Sequence, residues 1–166
     1  MRKMLSAVLV ACMLALLSIL SIPSVALAKP ETVSGTVTYY PYPTSEPRVA
    51  GGNTFLEGAE TADWYGSFVG TSSDVWIVCM HSSGFWSIPD GVHVSFTGDV
   101  GGVSGTLEIL LVGKGPIEVT PAGPVPHWTG HWMILSGTGD LANLEGNGDW
   151  WGVGTSLGYS GHIQFD

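Results

Sequence analysis

The sequence predicts an all-β protein, a single closed antiparallel β-barrel of about eight strands. Beyond residue 28, no segment places apolar residues at the period of an α-helix. Apolar and polar residues instead alternate between glycine-rich breaks, with the two-residue period of half-buried strands. Roughly eight to nine such segments follow one another at hairpin spacing, which is the number of strands in small closed barrels.

The N-terminal segment, residues 1–28, is predicted to be a secretory signal peptide. Arg2 and Lys3 precede an apolar run from Met4 to Ile22, and Ser24-Val25-Ala26-Leu27-Ala28 supplies small residues at the Ala-x-Ala spacing of a cleavage site. We expect cleavage after Ala28, a secreted or cell-envelope location, and a β-barrel domain of residues 29–166. Once the leader is removed, no membrane span is expected.

Two alternatives concern the same leader. Its apolar run is about long enough to cross a bilayer, so it could remain as an uncleaved anchor. Leu9-Val10-Ala11-Cys12 also matches a lipobox, which leaves open lipidation at Cys12.

The strands are identified by their alternation. The apolar members are Val33, Val37 and Tyr39; Trp64 and Phe68; Val92, Val94 and Phe96; and Leu157, Tyr159, Ile163 and Phe165. Further strands are expected around residues 54–60, 128–135 and 149–153. Trp76–Met80 and Leu107–Val112 are apolar on both faces, which predicts that a second layer, a loop or a subunit covers their outer side.

Two proline-rich segments, residues 41–47 and 115–126, are predicted to be loops on the barrel rim. Proline lacks the N–H group that a sheet ladder needs, and long rim loops often hold functional residues. Prolines that merely stiffen a connection would give the same pattern.

The charge of the chain disfavours two classes of partner. Its formal net charge is −9, and only Lys29, Arg48 and Lys114 are basic beyond the leader. Nucleic acid and anionic membrane surfaces are therefore not expected partners, since both need clustered basic residues. Cys79 is the one cysteine of the domain, so it cannot form an intrachain disulfide and is predicted to be a small buried hydrophobe.

No metal site or cofactor is predicted. His127 and His131 are four residues apart, which on a strand separates their side chains by roughly 13 Å. No Cys–His cluster and no nucleophile, phosphate-binding or dinucleotide motif is present in the sequence.

One carboxylate is a candidate catalytic group. If Phe55 faces the barrel interior, alternation turns Glu57 inward as well, where burial would raise its pKa and suit it to general acid–base chemistry. A register shifted by one residue would instead leave Glu57 in solvent.

The interior aromatic residues are the candidate ligand-binding groups. They are Tyr39, Trp64, Phe68, Trp76, Phe96, Trp132 and Tyr159. A barrel of about eight strands either fills its interior with side chains or holds one small ligand, and the sequence leaves both possibilities open. The predicted ligand is a small apolar molecule.

The segment Gly137–Gly148 is the sharpest motif of the chain. Its glycines allow sharp turns around a short helical turn, in which Leu141 and Leu144 point the same way and plug one end of the barrel. The segment resembles the signature of the DUF3224 family of small bacterial proteins and, more loosely, the Gly-Thr-Gly segment of allene oxide cyclases and dirigent proteins.

The resemblance implies a short calycin-type antiparallel barrel related to allene oxide cyclase. The function of the DUF3224 family is not established, while dirigent and cyclase relatives bind hydrophobic substrates inside the barrel. None of their catalytic residues can be matched onto this chain. Three functions follow as expectations: a ligand-binding barrel, a cyclase or isomerase that uses the same cavity, and a structural surface protein that oligomerises through its doubly apolar strands.

Overall fold

A computed structural model describes residues 29–165; the predicted signal peptide, with Cys12, lies outside them. The described residues form ten β-strands in one antiparallel sheet, and no α-helix occurs among them. The strands are β1 (Glu31–Pro43), β2 (Arg48–Ala50), β3 (Asn53–Gly66), β4 (Phe68–His81), β5 (Phe85–Ser87), β6 (Val92–Val100), β7 (Val103–Thr120), β8 (Gly123–Gly139), β9 (Leu144–Val153) and β10 (Ser156–Phe165). Within residues 29–165, no helix is long and apolar enough to cross a membrane.

Eight of the strands pair in a ring. The order of pairing is β1, β3, β4, β6, β7, β8, β9, β10 and then β1 again, with every pair antiparallel. The two three-residue strands lie outside this order: β2 pairs with β3, and β5 lies between β4 and β7. The predicted all-β antiparallel class is confirmed.

Alternation along each strand separates the interior of the ring from its outer face. Val94 and Phe96 of β6 and Ile109 of β7 are at most 1% exposed. The last strand follows its predicted pattern at Tyr159 and Ile163, which are buried, whereas Phe165 at its end is 37% exposed. The hydrophobic core therefore occupies the inside of the ring, built from one face of each strand.

One end of the ring is closed by Leu141 and Leu144, which are 0% and 3% exposed. The predicted helical turn is instead a series of three hydrogen-bonded turns, in which the N–H groups of Leu141, Ala142 and Leu144 donate to the oxygens of Thr138, Gly139 and Leu141. The burial of both leucines confirms the predicted plug.

The predicted loop at residues 115–126 is strand except for the turn at residues 121–122, the tip of the β7–β8 hairpin. The predicted loop at residues 41–47 is strand only in its first three residues, where Pro41 and Pro43 end β1, and residues 44–47 lie outside the strands as predicted. The N–H of Tyr39 donates to Thr155, on the side away from β3, so the nitrogens of Pro41 and Pro43 face the same unpaired side. In β8, the oxygen of Pro126 accepts the Gly154 N–H and faces away from β7. Proline is tolerated in a strand where its nitrogen faces no ladder partner.

The doubly apolar strands are covered less than expected. Cys79 on the outer face of β4 is 2% exposed, as a buried hydrophobe should be, but Val75 and Ile77 of the same face are 73% and 40% exposed. Val112 of β7 is 39% exposed. Within residues 29–165, the outer face is therefore covered at Cys79 but not at Val75, Ile77 and Val112, so the predicted cover is only partly present in the single chain.

Candidate ligand-binding cavity

A cavity of about 210 Å³ occupies the ring interior away from the Leu141 plug. Along β7, Leu107 lies beside the plug segment, whereas Leu111 lines the cavity. The walls are aromatic and aliphatic, with prolines at the rim and one carboxylate. The lining residues are Tyr39, Trp76, Trp86, Trp128 and Trp150; Leu56, Val78, Ile88, Val92, Leu111 and Leu157; Pro41, Pro124 and Pro126; and Glu60.

Three tryptophans form a continuous row along the cavity wall. The ring centroids of Trp86 and Trp128 are 6.3 Å apart, and those of Trp128 and Trp150 are 6.1 Å apart. Trp150 is held in place by its indole N–H, which donates to the oxygens of Val112 and His131 at 3.1 Å each. Large rings at these distances attract one another and form a stiff apolar surface.

Glycines on neighbouring strands make room for these rings. A Cβ atom at Gly130 would lie 2.6 Å from the Trp150 nitrogen, and a Cβ atom at Gly58 would overlap the ring of Trp76. Each indole therefore lies flat against the backbone of the adjacent strand instead of projecting across the ring. This packing keeps the centre of the cavity empty.

A second, smaller void of about 30 Å³ lies deeper in the ring. It shares Tyr39 and Glu60 with the larger cavity, and Asp74 and Ser72 also line it. A volume of this size is enough for one or two water-sized groups.

Two carboxylates meet at this void from adjacent strands. Glu60 of β3 and Asp74 of β4 are directly opposite in the strand register. Burial, and secondarily the charge of Asp74, raises the pKa of Glu60 from 4.5 to about 8. Burial likewise raises the pKa of Asp74 from 3.8 to about 7. Near neutral pH, the pair can therefore hold or release a proton.

Tyr39 is the third titratable group at this position. Burial, followed by the charge of Glu60, raises its pKa to about 12, so the phenol stays protonated at physiological pH. Its hydroxyl donates to the Gly154 oxygen, which ties β1 to the turn between β9 and β10.

Three buried polar side-chain atoms in the described part of the chain have no hydrogen-bond partner: Asp74 Oδ1, Trp76 Nε1 and Trp86 Nε1. All three residues line one of the two voids. Buried polar atoms are seldom left without partners in folded proteins. Their concentration here marks the cavity as a place where a polar guest group would satisfy them.

The predicted ligand-binding residues divide into three sets. Tyr39 and Trp76 line the large cavity, whereas Trp64, Trp132 and Tyr159 line only the small void. The remaining two, Phe68 and Phe96, are 1% and 0% exposed and pack in the filled end of the ring. The interior is thus filled at one end and hollow at the other, and the role of these residues in binding stays a prediction.

The inward placement of Glu57 is wrong. Leu56 lines the cavity, so its neighbours Phe55 and Glu57 face outward. Phe55 lies under the guanidinium of Arg48, 4.5 Å from the ring centroid, and Glu57 accepts a hydrogen bond from Ser45 at 3.4 Å on the surface. The register shifted by one residue is the one that the structure adopts.

Glu60 and Asp74 are the functional candidates that the sequence reasoning missed. The signal was present: counting in steps of two from the inward Trp64 through Ala62 leads to Glu60. Phe55 was the wrong residue from which to assign the inward face of β3. It lies near the open end of the strand, where its ring packs against Arg48 outside the ring of strands.

His127 and His131, the two histidines four residues apart, lie on the outer face of the ring. His127 contacts Glu118 at 2.7 Å and His131 contacts Asp149 at 2.6 Å, each as a separate surface pair. Among residues 29–165, no three His, Cys, Asp or Glu side chains come together in a way that could hold a metal ion.

The fold of this chain is similar to that of a solved structure. No protein-family model and no curated protein matches the sequence. A crystal structure of a protein with unknown function from the DUF3224 family of Shewanella oneidensis MR-1 superposes with a TM-score of 0.66, over 83% of this chain and 98% of that one. The fold is that of a DUF3224 protein. The two sequences are 17% identical, so the likeness concerns architecture alone, and it confirms the resemblance predicted from Gly137–Gly148 at that level.

The Gly58→Ala variant tests how the cavity wall is built. The new methyl group would overlap the Trp76 ring and force the indole into the cavity, so we expect a loss of about 1–3 kcal/mol in the free energy of unfolding. Urea denaturation followed by tryptophan fluorescence measures this loss. In a Trp76→Leu background the same change should cost less than about 0.5 kcal/mol, because the clash is gone. An equal cost in both backgrounds would contradict the proposed packing.

Proposed function

We propose that the eight paired strands close into a barrel and that the mature protein, outside the cytoplasm, holds one small and largely apolar molecule in the 210 Å³ cavity. The observation that supports this function most directly is the hollow half of the ring, which is walled by four tryptophans. An engineered apolar cavity of about 150 Å³ is already large enough to bind benzene. A stiff aromatic wall beside a few polar groups is also the usual composition of a small-molecule site.

A cyclase or isomerase is the second candidate, and Glu60 is the observation that favours it. A carboxyl group with a pKa near 8, inside an apolar cavity, can donate or accept a proton at physiological pH. Glu60 takes the acid–base role that the sequence suggested for Glu57.

Native mass spectrometry of the mature protein, purified gently from the culture of its own host, tests the proposal. We expect a discrete additional mass that disappears on denaturation, and a chain that begins at Lys29. A guest recovered unchanged supports a carrier, whereas two interconvertible isomers in the cavity support an enzyme. An apo mass throughout would contradict the carrier.

Filling the cavity provides a matched pair of variants. Val78 is 8% exposed and lines the cavity, whereas Val75 on the same strand is 73% exposed on the outer face. We expect Val78→Phe to abolish the additional mass and Val75→Phe to leave it unchanged. If Val78→Phe retains the guest with full occupancy, the guest binds elsewhere.

A further inference from the structure

We infer that the guest is a small aromatic primary amine, bound as its ammonium ion with the nitrogen between Glu60 and Asp74 and the ring among the cavity tryptophans. This inference rests on the proposed ligand-binding function and specifies the chemistry of the ligand. It follows from the shape of the two voids, from the negative charge that the groups in the deeper void can carry, and from the buried polar atoms that have no hydrogen-bond partner.

The two voids match the two parts of such a molecule. The large cavity has the volume for an aromatic ring, and the smaller void of about 30 Å³ adjoins it at Tyr39 and Glu60. The smaller void has room for one or two water-sized groups, which fits –NH₃⁺ but not a trimethylated nitrogen.

The charge of the deeper void selects a cation. Glu60 and Asp74 contribute two acceptor groups, and Asp74 Oδ1 has no donor within the described residues. Within residues 29–165, no lysine or arginine lines either void. Two carboxylates in an apolar interior repel each other, and an ammonium ion would satisfy both through charge-assisted hydrogen bonds.

The aromatic wall suits the same ligand from the other side. Tryptophan rings attract a cation or its attached CH₂ groups, and they also stack on an aromatic body. Trp86 is 6% exposed, and its indole N–H, like that of Trp76, has no acceptor in the part of the chain that the structure describes. A hydroxyl or carbonyl oxygen on the ligand, remote from its nitrogen, would accept these hydrogen bonds.

The affinity should therefore depend on pH. The titratable groups that face the two voids are Glu60 from β3, Asp74 from β4, Tyr39 from β1 and Tyr159 from β10. The two carboxyls have pKa values of about 8 and about 7, and both tyrosines titrate above their ordinary value of 10.0. Of these four groups, only the two carboxyls lose their protons when the pH is raised from about 5 to about 9, so the affinity for an ammonium ion should rise by about 10-fold or more.

Isothermal titration calorimetry with three matched probes tests the inference on the mature protein. The probes are tyramine, tyrosol, which has a hydroxyl in place of the ammonium group, and the N,N,N-trimethyl derivative of tyramine. We expect tyramine to bind about 10-fold to 100-fold more tightly than tyrosol near pH 8.5, as a charge-assisted hydrogen bond predicts. The trimethyl derivative should bind less tightly than tyramine.

Variants locate the effect. Glu60→Gln and Asp74→Asn should each weaken tyramine binding by about 10-fold and change tyrosol binding by less than about 2-fold. Glu57→Gln is the matched control, because Glu57 lies on the same strand but on the outer face. It should leave the binding of both probes unchanged.

The outcomes separate this inference from the proposed function. Equal binding of tyrosol and tyramine, insensitive to Glu60→Gln, would overturn the amine but support the cavity as a ligand site. A neutral guest found by native mass spectrometry, with no tyramine binding, would likewise overturn the amine and support the cavity as a ligand site. Absence of both a native guest and any probe binding would overturn the carrier as well.

Discussion

Replacing Glu60 with glutamine should stabilise the protein in alkaline solution and leave its stability unchanged in acid. The Glu60 carboxyl is protonated up to about pH 8 in the folded state but only up to about 4.5 when unfolded. The folded state therefore binds the extra proton, and the free energy of unfolding falls as the pH rises from about 4.5 to about 8. Glutamine is neutral at every pH and has nearly the shape of the protonated acid, so it does not incur this loss.

The difference should reach about 3–5 kcal/mol in the free energy of unfolding near pH 9, or roughly 10–20 °C in melting temperature. Thermal or urea denaturation of both proteins at a series of pH values measures it. Glu57→Gln controls for the loss of one surface charge and should change the stability by less than about 0.5 kcal/mol.

The residual pH dependence of the variant provides a second check. Asp74 keeps a pKa that burial raises to about 7, so the Glu60→Gln protein should still lose stability between about pH 4 and pH 7. Adding Asp74→Asn should remove that remaining loss. If Glu60→Gln instead destabilises the protein near pH 9, the ionised carboxylate must be compensated in the folded state, as a bound cation would do.

The strands of this fold were predictable because their pattern is local. The alternation of Val92, Val94 and Phe96, and that of Leu157, Tyr159 and Ile163, depends only on which residues share a face. The plug was predictable for the same reason, since two leucines three residues apart in one turn point the same way.

The candidate site was less predictable because it depends on register between strands. The pairing of Glu60 with Asp74 joins residues on two strands, and a shift of one residue would have moved either carboxylate to the outside. The choice of Phe55 as an inward anchor produced such a shift. Trp64 was the better anchor, since its indole N–H donates to Ser72 inside the ring and its ring packs on Phe68.

The division of the interior into a filled and a hollow half was beyond sequence reasoning. It depends on which glycine faces which aromatic ring, as Gly130 faces Trp150 and Gly58 faces Trp76. The aromatic residues are numerous enough to fill a barrel, yet rings that lie flat over glycine leave space at the centre. Composition alone cannot distinguish these arrangements.

Among substitutions that shorten one side chain, we expect the largest loss of stability in the filled half of the ring. Phe68 is 1% exposed, and its ring centroid lies 5.9 Å from that of Trp64, 5.8 Å from those of Phe96 and Trp132, and 5.4 Å from that of Tyr159. These four rings also pack against other residues and cannot all move into the space left by the Phe68 ring, so Phe68→Ala should leave a cavity. We expect a loss of about 3–5 kcal/mol in the free energy of unfolding, measured by urea denaturation.

Two comparisons isolate the cause of that loss. Phe85→Ala removes the same ring from a side chain that is 42% exposed, and it should cost less than about 1 kcal/mol. Phe68→Leu keeps part of the volume and should cost about half as much as Phe68→Ala. The backbone N–H of Phe68, which donates to the Tyr159 hydroxyl at 2.9 Å, is present in all of these proteins, so hydrogen bonding does not contribute to the difference. A cost for Phe68→Ala as small as that for Phe85→Ala would mean that the rings repack freely, and that the filled half of the ring has spare volume of its own.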